Sequence, residues 1–353
     1  MIRLDHKDFK KVAKLVRLED ELSVFSVIYG QNPGDIYVNN VDNPTVALIK
    51  TSECNLIAGS TKDDKFNSEI SSQLDFWDQL VPDSEEWMDM IPIIHKNRFI
   101  RKYKRRRYIL SSKDFIECDM KIKEGYILER VDISILRRNV FENSDKLLDW
   151  VEDWGSDEEF EKYGMGYLIR NSKTIVSWSL SDCSFQNKIA IGVYTDERYR
   201  HNGFGRAVVT STIKGCFSRG YKEIQWLCVD SNKGSRAIAE KSGFTLKNFY
   251  YSFSSYAPIE NLKDLSEEEW HGWGAYLESS SREEECLIWE ALYAYIKSND
   301  VEKTIDIMIN MKTKGIAIDY LRFKNYIIKL QSYGICSNFN NKIWIDFLKK
   351  NLV

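Results

Sequence analysis

Gly203 and Gly205, one residue apart, with Arg200 three positions before the first, are the residues whose spacing most clearly specifies chemistry. A buried-strand run, Ala190-Ile-Gly-Val-Tyr-Thr195, precedes them. Apolar positions at Ala207, Val208, Val209, Ile213 and Phe217 come after them with helical spacing until Gly220. The first N–H groups of a helix have no intrahelical acceptor and carry partial positive charge, so a helix mouth attracts anions. Glycine lets a ligand approach the backbone without meeting a Cβ, and Arg200 adds a fixed charge. The expected chemistry is capture of a phosphate-class anion. A tight strand-to-helix turn uses a glycine pair in the same way.

The segments C-terminal to this helix narrow the choice. A strand, Glu223-Ile-Gln-Trp-Leu-Cys228, leads to Asp230-Ser-Asn232, a helix holding Ser235 and Ala239-Glu-Lys-Ser-Gly243-Phe244, and then Tyr250-Tyr251. In this order the chain resembles the GNAT superfamily of acyl-CoA-dependent N-acetyltransferases. The phosphate loop of that superfamily is Arg or Gln, two residues, Gly, one residue, then Gly or Ala. Trp154-Gly-Ser-Asp-Glu-Glu-Phe160, Gly164-Met-Gly-Tyr167 and Ile175-Val-Ser-Trp178 resemble a two-part subfamily found mainly in bacteria. Asn39-Asn-Val-Asp-Asn-Pro44 resembles its N-terminal half, so the likeness spans about residues 30 to 255.

The resemblance implies an α/β GNAT acyltransferase fold, a mixed and mostly antiparallel sheet with flanking helices, and acetyl-CoA as cosubstrate. It assigns the phosphates to Arg200, His201, Asn202, Gly203, Phe204, Gly205 and Arg206, and a second CoA-side segment to Asn232 and Ser235. Strands ending near Thr195 and Cys228 are expected to splay, with pantetheine pairing to backbone at Val193 and Thr195. Backbone N–H groups around Val193 and Tyr194 are expected to face the developing oxyanion.

The side-chain catalysts depart from the family. Asn187–Thr195 contains no carboxylate, with Ile189 or Ala190 where many members carry glutamate, and Ala239 stands where many carry tyrosine. The substitutes are Glu197, Asp182 and Tyr250. Each also has a plain structural reading, as a solvated cap, a strand residue and a wall of the core. The expected function is transfer of an acetyl group from acetyl-CoA to a primary amine of a small molecule by direct attack in a ternary complex. The alternatives are an acyl-CoA-binding sensor or interaction protein with a degenerate site, and an enzyme acting on a protein amine.

Three segments must position these residues. Residues 1–120 read as mixed α/β, a degenerate GNAT-like half that shapes the substrate cleft, although no internal repeat shows in the sequence. A helical segment at Phe76–Trp87 and a basic strand at Phe99–Leu110 are expected in it. Residues 121–257 hold the GNAT pattern. Residues 258–353 read as an all-α extension with helices over 281–298, 301–314, 319–332 and 341–351, a candidate homodimer or peptide contact. Arg98, Arg101, Lys102 and Lys104–Arg107 read as a solvated edge strand, with a phosphate, RNA or acidic-substrate patch as the alternative. The net charge of −3 gives no drive toward nucleic acid. Seven cysteines without CxxC spacing argue against a disulfide framework or a metal site. No apolar run reaches membrane-spanning length, so no membrane contact is expected and the expected compartment is the cytoplasm.

Overall fold

Short apolar runs bounded by turn residues become strands, and the computed structural model pairs 12 of them into one sheet. It describes every residue except 19, 75–77, 96–99, 118–119, 255–264, 284, 333 and 352–353. The strands are β1 (Ile2–Arg3), β2 (Asp35–Val38), β3 (Val46–Lys50), β4 (Asn55–Gly59), β5 (Leu80–Pro82) and β6 (Arg101–Ser111). They continue as β7 (Ile127–Arg130), β8 (Gly166–Arg170), β9 (Ile175–Phe185), β10 (Lys188–Thr195), β11 (Glu223–Val229) and β12 (Thr245–Ser254). Their order across the sheet is β1-β2-β3-β4-β5-β12-β6-β11-β10-β9-β8-β7.

This order contains the same pattern twice. β2, β3 and β4 form an antiparallel meander that ends in a parallel β4–β5 pair. β8, β9 and β10 form another, ending in a parallel β10–β11 pair. The last strand of each half is exchanged: β6 pairs with β11, and β12 pairs with β5. The repeat is absent from the sequence because a strand pattern needs only alternating burial, which many residue sets satisfy.

Both faces of the sheet are covered. The helix Phe204–Ser218 turns Val209, Ile213 and Cys216 onto Ile189, Ile191, Ile224 and Trp226. Alternation then sends Ala190, Gln225 and Leu227 to the opposite face, where Leu22 of the helix Leu22–Ile28 meets Ala190 and Cys183. Trp154 and Leu147 cover Trp178 and Leu180 on that same face.

Two expectations change. The segment Phe76–Trp87 is not one helix: Phe76 and Trp77 lie outside the described residues, β5 occupies Leu80–Pro82, and the helix is Glu85–Ile94. The basic strand, for which Arg98 and Phe99 also lie outside the described residues, is not an edge. β6 lies inside the sheet, between β12 and β11.

Residues Met1–Ile94 with Lys102–Phe253 form one compact unit, and His95–Arg101 with Ser254–Val353 form another. The second contains helices Glu267–Ser280, Leu287–Lys297, Val301–Thr313, Tyr320–Ser332 and Lys342–Asn351 around Leu292, Tyr295, Met308, Phe323 and Trp344. The first of these helices was not expected. Its signal is a capping box in which Ser266 and Glu269 each satisfy the other's backbone N–H. Asp300 caps Val301–Thr313 by accepting from Lys303 N–H at 2.9 Å.

Candidate active site

β10 and β11 pair over only three positions, Lys188↔Glu223, Ile189↔Ile224 and Ala190↔Gln225, and then part. Asp196 N–H donates to Val176 O at 3.0 Å, and Asp196 stands opposite Val176 in the β9 register. Hydrogen-bonded pairs alternate along an antiparallel ladder, so Tyr194 and Gly192 bond to β9 while Val193 and Thr195 turn their backbone groups into the gap. The open edge from Ala190 to Thr195 is about 17 Å long.

The helix Phe204–Ser218 begins at the mouth of that gap. Gly203 precedes it with φ +80°, a conformation that favours glycine, and open space surrounds the place a Cβ would take. The first intrahelical bond runs from Ala207 N–H to Gly203 O, which leaves the preceding N–H groups without an intrahelical acceptor. A Cβ on Gly205 would lie 3.0 Å from Thr195 Oγ1 and 3.1 Å from Ile238 Cδ1, so glycine is what seats the helix against β10. Phe204 is buried against Tyr126, anchoring the loop, while His201, Asn202 and Arg206 are exposed. Asn202 Nδ2 donates to Tyr199 O and Arg200 O, which orders the turn. Arg200 donates from Nε to Thr195 O at 3.3 Å, beside the open strand end.

On the opposite face, where the gap closes, β9 carries a bulge. Ala190 faces Cys183 and Ile191 faces Ser181, so Asp182 is the extra residue. Asn32 Nδ2 bridges Asp182 O at 2.9 Å and Asp153 O at 3.0 Å, bringing the two acidic residues together. Burial, then the charges of Glu53 and Asp153, push the Asp182 carboxyl up to about 7. Asp153 also rises to about 7, through burial and then the charge of Glu53. Asp182 Oδ1 is buried without a hydrogen bond, and both amide atoms of Gln225 are buried without one. Arg105 and Arg107, from β6, are committed to Glu53 and Glu21.

The sequence profile of the GNAT acetyltransferase family matches residues 13–253. The chain belongs to that family. Among solved structures it is similar to a GCN5-related N-acetyltransferase-like protein from Streptococcus suis, at 24% identity and TM-score 0.58 over 70% of this chain and 98% of that one. A GCN5-related N-acetyltransferase from Sphaerobacter thermophilus is similar at 11% identity and TM-score 0.46 over 73% and 96%. A tandem GNAT protein from the clavulanic acid biosynthesis pathway is similar at 8% identity and TM-score 0.47 over 72% and 98%. No curated protein matches. Membership makes acyl transfer the general chemistry of this GNAT acetyltransferase.

The fold brings Val193, Thr195 and the 200–206 loop to one gap mouth. Asn232 caps the helix Lys233–Lys241 through Ser235 N–H at 3.0 Å, and the Ser235 hydroxyl accepts from Trp226 Nε1 at 2.9 Å. Both side chains therefore organise the β11 side of the acetyltransferase. The three acid–base candidates separate. Glu197 is 81% exposed and pairs with Arg200 at 3.3 Å, at the mouth and not at the closed end. Tyr250 lies on β12, three strands from β10 and so about 14 Å away. It packs beneath the Arg107 guanidinium at 4.7 Å, with burial raising its hydroxyl well above the usual phenol range. Asp182 alone of the three stands at the closed end. Cys228 is a buried thiol raised by desolvation.

Glu53, Asp153 and Gln225 were not expected. A polar residue inside the apolar run Ile224-Gln-Trp-Leu was a signal for Gln225; the other two lie in turns that nothing local distinguishes. In the N-terminal half a helix start is already filled. At the start of its helix Asp64–Glu69, the Asp63 carboxylate accepts from Phe66 N–H at 2.9 Å and from Asn39 Nδ2 at 2.9 Å, so the protein's own anion fills the place. Among the described residues no helix is long and apolar enough to cross a membrane, and no cluster has the ligands for a metal.

Proposed function

We propose that this protein transfers an acetyl group from acetyl-CoA to a primary amine of a small molecule, by direct attack in a ternary complex. The observation that carries the reading is the parting of β10 from β11 at Ala190/Gln225, with the Gly203 helix mouth at the open end. That cradle fits an anion on the backbone of residues 201–206 and an extended amide-bearing arm along Val193 and Thr195. When bound there, the cosubstrate supplies an activated acyl carbon at the closed end.

An alkylammonium near pKa ~10 is a poor nucleophile until it loses a proton. Asp182 is the base this reading assigns. The acceptor nitrogen forms the C–N bond as the C–S bond breaks, and loses two protons, one to Asp182 and one to the departing sulfur. Backbone N–H groups along open β10 oppose charge developing on the carbonyl oxygen. The unpaired state of the described cysteines suits a cytoplasmic setting.

Calorimetric titration of acetyl-CoA, with thiol release against an amine panel, tests the reading. Saturable binding, lost in Gly203→Glu, and amine-dependent thiol release are expected. Binding without turnover would instead favour an acyl-CoA sensor, the reading that Ala190 and Ala239 favour. Absence of binding would overturn both.

A further inference from the structure

The polar groups at the closed end exceed what one proton transfer requires, and they have one sign. No ion pair to Asp153 or Asp182 exists among the described residues. A buried carboxylate without a partner is costly and favours its neutral form, so binding of a cation relieves it. Gln225 is 1% exposed and lies on the same face as its cross-strand neighbours Ala190 and Cys183, beside the bulge. Its amide offers two donors and an acceptor, all unused. An acidic ligand would find there, among the described residues, arginines already paired with glutamates. Arg105 and Arg107 are held by Glu53 and Glu21.

The N-terminal half builds part of this site. Glu53 comes from the β3–β4 turn and Asn32 lies just after the helix Leu22–Ile28; the charge of Glu53 acts on the Asp182 carboxyl, and Asn32 ties the backbone carbonyls of Asp153 and Asp182 together. Opposite the helix face, Trp150 lies against Gly192, closing one side with an aromatic wall.

We propose that Asp153, Asp182 and Gln225 form the acceptor site, and that the acceptor is a polycationic amine, carrying at least one ammonium group besides the one acetylated. Asp182 receives the proton of the reacting nitrogen, Asp153 holds the second ammonium, and Gln225 hydrogen-bonds the chain between them. This rests on the acetyl-CoA-dependent reading and narrows its substrate.

The test compares spermidine with n-butylamine and glutamate in the thiol-release assay on the full chain. Parallel calorimetry measures acetyl-CoA and spermidine binding separately. Spermidine is expected to exceed n-butylamine in kcat/KM by at least about tenfold, and glutamate to be inert. Asp153→Asn is expected to raise the spermidine KM about tenfold while acetyl-CoA affinity and the melting temperature stay at or above those of the parent. Equal turnover of n-butylamine, or an unchanged spermidine KM in Asp153→Asn, overturns the proposal while leaving the acetyl-CoA reading intact. If no amine turns over, spermidine binding that is lost in Asp153→Asn still supports the site, and no spermidine binding sinks it. Failure to bind acetyl-CoA would count against the acetyltransferase reading instead.

Discussion

Asp182 and Asp153 hold protons in the folded protein at a pH where free carboxyls have released them, and this has a thermodynamic sign. An unfolded Asp titrates near 3.9, whereas both folded groups titrate at about 7. Between these values the native state binds more protons than the unfolded one, so stability falls as pH rises across the window. Burial and the charges of Glu53 and Asp153 disfavour the charged form of Asp182 and outweigh the backbone N–H groups of Asp182 and Cys183, which favour it. Asp182→Asn is therefore expected to stabilise the fold by about 1–2 kcal/mol at pH 8, with the gain vanishing near pH 4. Melting curves at the two pH values check this, and an equal difference at both would refute it. The same variant should lose most kcat, together with any rise of kcat through pH 7. Gly205→Ala sets a methyl 3.0 Å from Thr195 Oγ1 and 3.1 Å from Ile238 Cδ1, so helix and strand must separate slightly. Acetyl-CoA binding should weaken by about tenfold and stability by about 1 kcal/mol, measured by calorimetry and urea titration.

The β6 strand shows where local pattern misleads. Its charge alternation reads as edge protection, yet its neighbours on both sides are strands. Arg107 is 1% exposed and its partner Glu21 equally so; burial raises the Glu21 carboxyl while Arg107 opposes the rise. Removing one member of a buried pair strands the other charge, so Arg107→Met should cost about 3–5 kcal/mol. Lys102 is exposed over the Tyr251 ring at 4.0 Å, so Lys102→Met should cost less than about 1 kcal/mol. Urea unfolding of the two variants separates a buried strand from a solvated one. The sequence could not reveal this, because Glu53 and Glu21 lie 52 and 86 residues from the arginines they neutralise. The phosphate helix, by contrast, was readable: its glycines, apolar spacing and preceding strand are contiguous, so the physics that forms it is local. The carboxylate site draws on the turn at Glu53, the turn at Asp153, the β9 bulge and β11, which only the folded sheet assembles.

The exchange of last strands makes the two halves of the sheet a single cooperative object. β6, contributed from before residue 120, supplies the ladder partner of β11 over Glu223↔Ser111 to Val229↔Arg105. β12, contributed from the end of the second half, pairs with β5. A fragment of residues 121–257 therefore loses the neighbour of β11 and exposes seven unpaired positions, Ile224, Trp226 and Cys228 among them. A long apolar edge of that kind templates association between chains. The isolated fragment is expected to aggregate, or to show retained far-UV but lost near-UV circular dichroism. Co-expression with residues 1–120 should restore a folded complex that binds acetyl-CoA, because the strand exchange would then occur between chains. A monomeric 121–257 fragment with a sharp melting transition and full acetyl-CoA affinity would mean that β11 does not need β6, and that the second half is an independent folding unit.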